Sequence, residues 1–435
     1  MNIEMNIGSN RSRTKKSRPS AANILILGDF SGEGRSNDAS SAGPGIRNMF
    51  TLDPNKLDSA IARVAPKIEL NSGAESLSIP VTSLDSFHPD SLLRIEGLRG
   101  SAPPVDPKPP EQAAPAKQQP TADDDNDFAR LLGAKTAGPG ATSPAVKSTL
   151  DKLIANAVAD EAPAPVTSSA SSAGDYSTQL REILRAQPFQ QLEATWRSLQ
   201  WLGEHIDYDE TASIWLVDVD LSAIESWSED LVRKVAAGPG SAAAIVVLHD
   251  YSSSERSELH ALARLASGLK TIAFAGAAHS LVGFNGDLSA ATALDASDFS
   301  QQESDPSDSF ATLSNVVMGY PNILLRQPYG ERSDPIDSFD FDELGTAPPH
   351  AAFLWGSASI VAALMWLTGT LVVDDAPLVT YDDGSGQAIK PPTGAYMTDS
   401  AADTLLAKGI IPMLARRGGT EIRVPRLQSL AITAI

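Results

Sequence analysis

Cysteine is absent from the 435 residues, which excludes a disulfide framework, a thiolate nucleophile and a cysteine-based zinc site, and is compatible with a reducing compartment. Histidine is scarce: six residues are scattered along the chain, so a metal site would have to rest mainly on carboxylates. Positive charge is also short, with 34 Lys and Arg against 54 Asp and Glu and a formal net charge of −20. Nucleic acid and anionic membrane surfaces both need a cationic face, so neither is expected as the main partner. The cations Arg11, Arg13, Lys15, Lys16 and Arg18 cluster near the start, but no apolar run of signal-peptide length follows before Gly28. Residues 1–20 therefore read as a flexible, solvated basic arm with no export signal. Only residues 351–373 are as long as a bilayer span without a charge. Gly356, Ser357, Ser359, Thr368, Gly369 and Thr370 dilute that stretch, and Asp374 and Asp375 close it. It is expected as a buried helix running into a strand at 371–373, with no membrane insertion.

The length suits two or three domains with a substantial core. Residues 21–100 carry an apolar run at 23–27 ending in Gly28, as a buried strand entering a turn does. Asp53-Pro54 is a helix-start signal, with Leu57, Ile61 and Val64 as the inward stripe. Residues 68–70 and 76–80 are further strand material, and 83–93 form a turn and a short helix. Residues 101–174 change to Pro, Ala, Ser, Asp and Lys with few aromatics. Such a composition cannot bury enough surface to offset its ordering entropy, so this span reads as a linker. Two islands within it, 128–132 and 150–158, are short enough to be docking helices or transient turns. Residues 175–435 alternate strand and helix: 213–219, 221–235, 243–249, 257–269 and 271–275. The expected fold class is α/β: two α/β units with mainly parallel or mixed sheets flanked by helices, joined by a disordered linker.

Residues 180–202, LREILRAQPFQQLEATWRSLQWL, are the most specific stretch. Leu180, Ile183 and Leu184 give one helix an apolar face; Pro188 and Phe189 interrupt it. Phe189, Leu192, Trp196, Leu199 and Leu202 continue the helical spacing on a second helix. Glu193 and Arg197 sit four apart, a pair worth about 0.3 kcal/mol on a helix surface, so packing must dominate here. The pattern PFQxLExxWRxLxxL closely resembles a signature of the large subunit of the type VI secretion contractile sheath. GYPNILLRQPYG at 319–330, FDFDE at 339–343, FLWG at 353–356, AKGIIPML at 407–414 and VPRLQSL at 424–430 resemble further blocks of that subunit in order. In the first unit, ILILGDF at 24–30, LDSAIARVAPKIEL at 57–70 and LDSFHPDSLL at 84–93 resemble the core of the small sheath subunit. In the large subunit the chain continues past the QSL-like block into a C-terminal domain that accepts strands from neighbours; here the sequence stops at Ile435. The resemblance therefore implies a fused small-and-large-subunit-like chain without that acceptor.

Candidate chemistry is thin. Gly28-Asp-Phe-Ser-Gly-Glu-Gly34 follows a strand as phosphate loops do, but the Lys-Ser/Thr pair that reaches phosphate and magnesium is missing, and Glu33 would repel a phosphate. Asp218 and Asp220 share one strand face by period two, yet the further ligands of a metal site are not found, so they read as solvated loop-end carboxylates. His249-Asp250 and His279-Ser280 lack a nucleophile elbow. Arg326 lies in an apolar strand and must be paired; Asp340, Asp342 and Glu343 are its candidate partners in a structural clamp with Tyr329, an anion-binding arginine being the alternative.

These readings give a non-enzymatic structural protein without cofactor or metal. Its expected organisation is a basic arm at 1–20, a small-subunit-like domain at 21–100, a linker at 101–174 and a large-subunit-like domain at 175–435. Phe189, Glu193, Trp196, Arg197, Arg326, Tyr329 and Trp355 are its structural or interaction residues. The resemblance implies a cytoplasmic homo- or hetero-oligomer that assembles around or at the end of the injector tube and acts by conformational change. The implied partners are other sheath subunits, inner tube or baseplate proteins and an unfolding ATPase. An accessory module that caps or nucleates the sheath is the alternative; an enzyme on an α/β fold is the third.

Overall fold

The computed structural model describes residues 22–33, 45–72, 75–95, 169–206, 212–288, 293–300, 310 and 313–435. The basic arm and the islands at 128–132 and 150–158 lie outside the described residues. The first segment supplies β1 (Ala22–Gly28), β2 (Asn48–Leu52), α1 (Leu57–Val64), the hairpin β3 (Lys67–Ser72) and β4 (Glu75–Pro80), and α2 (Pro89–Leu92). From Ser169 onward come α3 (Ser169–Arg185), α4 (Gln187–His205), β5 (Ala212–Asp218), α5 (Ile224–Ala237), β6 (Ala244–Tyr251), α6 (Arg256–Gly268) and β7 (Ile272–Ala277). There follow α7 (His279–Val282), β8 (Val316–Tyr320), β9 (Ile323–Leu324), β10 (Trp355–Gly356), α8 (Ser359–Thr368) and β11 (Val372–Val373). The remainder is β12 (Val379–Asp382), β13 (Gln387–Lys390), α9 (Asp399–Ala407), β14 (Ile410–Pro412), β15 (Leu414–Ala415) and β16 (Ile422–Arg423). The α/β alternation read from the sequence is present, and α3 begins at Ser169, inside the stretch expected to be linker.

A seven-stranded sheet in the order β14-β8-β7-β6-β1-β5-β2 organises the molecule. Six strands run parallel, and the edge strand β2 runs antiparallel to β5. Both segments contribute strands to this one sheet. Strand β1, from the first segment, lies between β5 and β6 from the second, with Ala22 to Gly28 in register with Ala212 to Asp218 and Ile24 to Leu27 with Ala244 to Val247. The physical reason lies in residues 24–27. Ile24 and Ile26 enter one core while Leu25 and Leu27 enter the other, so β1 is buried on both faces, in cores to which the second segment contributes on each side.

Helices cover both faces. Alternate side chains of β5 and β6 divide as those of β1 do: Leu216 and Val246 point to the layer of α3, α4 and α8, and Val217 and Val247 to the layer of α5, α6 and α9. The break between α3 and α4 falls at Ala186, with Pro188 in the first turn of α4, where its missing N–H costs nothing. Aromatic pairs then join the two segments: Phe30 meets Trp196 at 5.3 Å and Phe87 meets Phe189 at 5.6 Å, both edge to face. The charge-free stretch at 351–373 holds α8, buried through most of its length, followed by β11. Among the described residues no helix is long and apolar enough to cross a membrane.

Because β1 completes the sheet, cutting the chain between its segments should not separate them. A specific protease site placed within residues 101–120 and then cleaved should yield two fragments that co-elute on gel filtration and part only in denaturant. Elution of either fragment alone as a folded species would show that the shared sheet is dispensable.

Candidate functional site

The α4 helix presents Glu193 to the interior, where it is fully buried. Its Oε1 accepts from Arg197 Nε at 2.7 Å and from Arg326 Nε at 2.7 Å, and its Oε2 from Arg326 Nη2 at 3.3 Å. Glu343 holds the other side of Arg326, with Nη1 donating to Oε2 at 2.8 Å and Nη2 to Oε1 at 2.9 Å. The Tyr329 backbone N–H donates to Glu343 at 2.7 Å, the Tyr329 ring lies 4.1 Å from the Arg326 guanidinium carbon, and Arg197 donates to the Tyr329 hydroxyl at 3.1 Å. Two carboxylates and two guanidinium groups thus balance in a buried cluster. Burial by itself raises the Glu193 pKa, but Arg326 and Arg197 outweigh it and hold the carboxyl below its ordinary value of 4.5. Burial also raises the Tyr329 hydroxyl, so the phenol remains protonated at neutral pH.

In this cluster Arg326 meets Glu343, one of the carboxylates weighed from the sequence, and Glu193, which was not weighed there. Asp342 is engaged elsewhere: its carbonyl accepts from Arg181 Nε at 2.8 Å and its Oδ1 from Leu344 N at 3.0 Å. Phe189 and Trp196 flank Glu193 on α4 as buried packing residues, and the Trp196 indole donates to the Phe30 carbonyl at 3.1 Å. The first segment reaches the cluster as well: His88 meets the Tyr329 ring at 4.9 Å, and Asp90 accepts from Asp337 N and Ser338 Oγ. Sequence reading understated the Glu193–Arg197 pair, because its surface value does not apply once Arg326 buries it.

The glycine loop after β1 is filled by protein. Asp218 Oδ1 accepts from Phe30 N at 2.9 Å, Ser31 N at 3.3 Å and Arg47 Nη2 at 3.0 Å, so a carboxylate of this chain takes the backbone donors that a phosphate would use. Gly32 turns with φ +77° beneath the Lys67 carbonyl, where a Cβ would stand 2.9 Å from that oxygen. Asp218 is therefore buried, correcting its reading as a solvated loop-end carboxylate. Asp220 has a separate task, accepting from Ser222 N at 3.0 Å ahead of α5. Among the described residues no cluster of three or more His, Asp or Glu is arranged to hold a metal.

A cleft of about 570 Å3 opens at the carboxyl ends of β1, β5, β6, β7 and β8 beside α4. His249, Asp250, His279 and Trp355 all line it. Trp355 stacks on His350 at 4.5 Å and donates its indole N–H to the His350 carbonyl at 2.8 Å. Ser357 Oγ is directed at the His249 carbonyl, 3.4 Å away, His249 Nε2 meets Glu255 at 2.8 Å, and His279 Nδ1 meets the Tyr320 hydroxyl at 3.1 Å.

Residues 174–428, more than half of the chain, match the VipB family, described as EvpB/VC_A0108, tail sheath N-terminal domain. The chain belongs to this tail sheath family. It is a structural protein of the type VI secretion contractile sheath, and the family implies assembly with other sheath subunits. No curated protein matches the sequence. The matched span of this VipB-family sheath protein holds α4, Arg326, Glu343 and Trp355, whereas β1 and the rest of residues 22–95 lie outside it.

Two substitutions test this packing. Arg326→Met leaves two buried carboxylates without their shared cation and should cost about 3 to 5 kcal/mol at pH 7 by urea denaturation. Glu193 stabilises the wild type above pH 4.5 and loses that contribution as pH falls through its lowered folded-state value, so the gap between wild type and variant should narrow on acidification. Trp196→Ala should cost about 3 to 5 kcal/mol by the same measurement; an unchanged transition midpoint would place Trp196 outside the core.

Proposed function

We propose that this chain combines a small-subunit-like and a large-subunit-like portion of the contractile sheath in one polypeptide and joins the sheath around, or at the end of, the cytoplasmic injector tube. The observation that carries this reading is β1. A segment outside the sheath-family match supplies a central strand to the matched body. The chain acts by conformational change: packed subunits rotate and slide against one another, and no bond chemistry is required of it. Its buried ion cluster suits that role, because a clamp with several simultaneous charge contacts keeps α4 and the 326–343 loop moving as one body. Inner tube and baseplate proteins are its further partners, with an unfolding ATPase acting on the spent assembly.

A second reading, a module that caps or nucleates the sheath, is favoured by the presence of both portions in one chain, which fixes their ratio. Electron microscopy of the purified chain alone and mixed with separately encoded sheath subunits distinguishes the two. Long regular tubes from the purified chain support the builder. Short tubes whose length falls as this chain is added support the cap, and no incorporation in any mixture would remove both readings.

A further inference from the structure

Between the buried Phe284 and Leu288 the chain exposes three residues, Asn285, Gly286 and Asp287. Both ends of this stretch are fixed. Phe284 donates its N–H to the His279 carbonyl at 2.9 Å, bridges to Phe299 and packs its ring 5.7 Å from that of His279. Leu288 offers its carbonyl to the buried Lys390, whose Nζ donates to it at 3.1 Å. That carbonyl is the one hydrogen-bond acceptor of the Lys390 ammonium among the described residues; the rings of Phe353 at 5.2 Å and Trp355 at 5.7 Å supply the rest of its surroundings. Burial lowers the Lys390 pKa to about 8, with Asp287 opposing the shift, so the amine is held in a place that disfavours its charge.

The exposed stretch carries a reactive pair. Of the asparagines in the sequence, only Asn285 precedes a glycine. An asparagine amide is open to attack by the backbone nitrogen of the next residue, whose own side chain ordinarily hinders the approach; glycine removes that hindrance. Gly286 has no freedom to become a bulkier residue, because a Cβ there would stand 2.7 Å from the ring of the buried Phe284. Neither the Asn285 side-chain amide nor the Gly286 N–H takes part in a hydrogen bond among the described residues, and both residues are exposed to water. The packing of Phe284 thus requires the same glycine that opens Asn285 to attack.

We propose that Asn285 is a site of self-modification, converting spontaneously to aspartate and isoaspartate, and that the isoaspartyl form releases Lys390 from the Leu288 carbonyl. In the first step a bond forms between Gly286 N and Asn285 Cγ, the Cγ–Nδ2 bond breaks, and ammonia leaves with the amide proton. Water then opens the five-membered succinimide. Addition at Cγ restores the original main chain as aspartate; addition at the α-carbonyl leaves the main chain running through Cβ and Cγ. That second product adds one carbon, about 1.5 Å of path, between two ends that cannot both stay where they are. Ageing of the full chain at neutral pH, followed by peptide mass mapping with an isoaspartyl methyltransferase as the probe, tests the chemistry, and acetic anhydride labelling of amines tests the coupling. Asn285 should convert before the other asparagines, faster as hydroxide rises, and Lys390 should be acetylated about tenfold more in the isoaspartyl fraction than in fresh protein. Asn285→Asp carries the new charge without the extra main-chain carbon and should keep Lys390 protected. Asn285→Gln, which would need a six-membered ring, should lose the methylation at this position and keep Lys390 protected on ageing. The proposal is overturned if Asn285 stays an amide while other asparagines convert, if methylation at this position survives in Asn285→Gln, if Asn285→Asp exposes Lys390 as fully, or if Lys390 in the isoaspartyl fraction is as protected as in fresh protein.

Discussion

Strand β1 is the element on which the rest depends, because it is hydrogen-bonded on both edges and packed on both faces. Its neighbours β5 and β6 are joined in sequence through α5, yet they do not touch as strands; β1 stands between them. Withdrawing it would leave two rows of backbone donors and acceptors without partners and open both cores. Burying Ile24, Leu25, Ile26 and Leu27 contributes roughly 6 to 12 kcal/mol in gross terms at about 1.5 to 3 per side chain. That is comparable with the whole net stability of an ordinary domain, about 5 to 15 kcal/mol. The carboxyl end of β1 also sets the loop that Asp218 closes and places Phe30 against Trp196, so the same strand positions α4.

The ion cluster extends that dependence to the far side of α4. Apolar residues of equal volume could pack there with equal or greater stability, since desolvating four charges offsets most of their attraction. A bidentate guanidinium, however, satisfies carboxylates only from defined directions. Glu193 on α4 and Glu343 on the later loop are therefore held at one separation and one angle around Arg326. The first segment closes the arrangement through His88 and Asp90, which ties the sheet's inserted strand and the clamp into a single body.

Much of the fold was legible along the chain. The strand and helix positions from 213 to 275, the interruption at Pro188 and the inward stripe on α4 follow from periodicity and turn chemistry, which are local. Residues 24–27 were likewise legible as a buried strand, since four consecutive apolar residues mean burial on both faces. Which strands flank it is not a local property. Arg326 was legible as a residue needing a partner, and FDFDE supplied Glu343, but Glu193 sits 133 positions away and looked like half of a surface pair. Asp218 was misread for the same reason, because the donors that bury it come from the loop after β1. The cleft had no sequence signature, since each of its walls comes from a different strand end.

The long connection between the segments matters less than its length suggests. Ala22 pairs with Ala212, so closing that contact encloses about 190 residues. The closure cost grows only with the logarithm of loop length. Relative to a loop of about 20 residues, it adds roughly 2 kcal/mol by the (3/2)RT ln n rule. The gross burial of β1 exceeds that several-fold. Attachment of the first segment is consequently decided by the sheet, the aromatic pairs and the clamp, with the covalent connection setting mainly how fast the strand finds its slot. A segment held in this way remains part of the body whether or not the intervening chain is intact, which makes the composite sheet, and not the tether, the unit that any sheath contact would act upon.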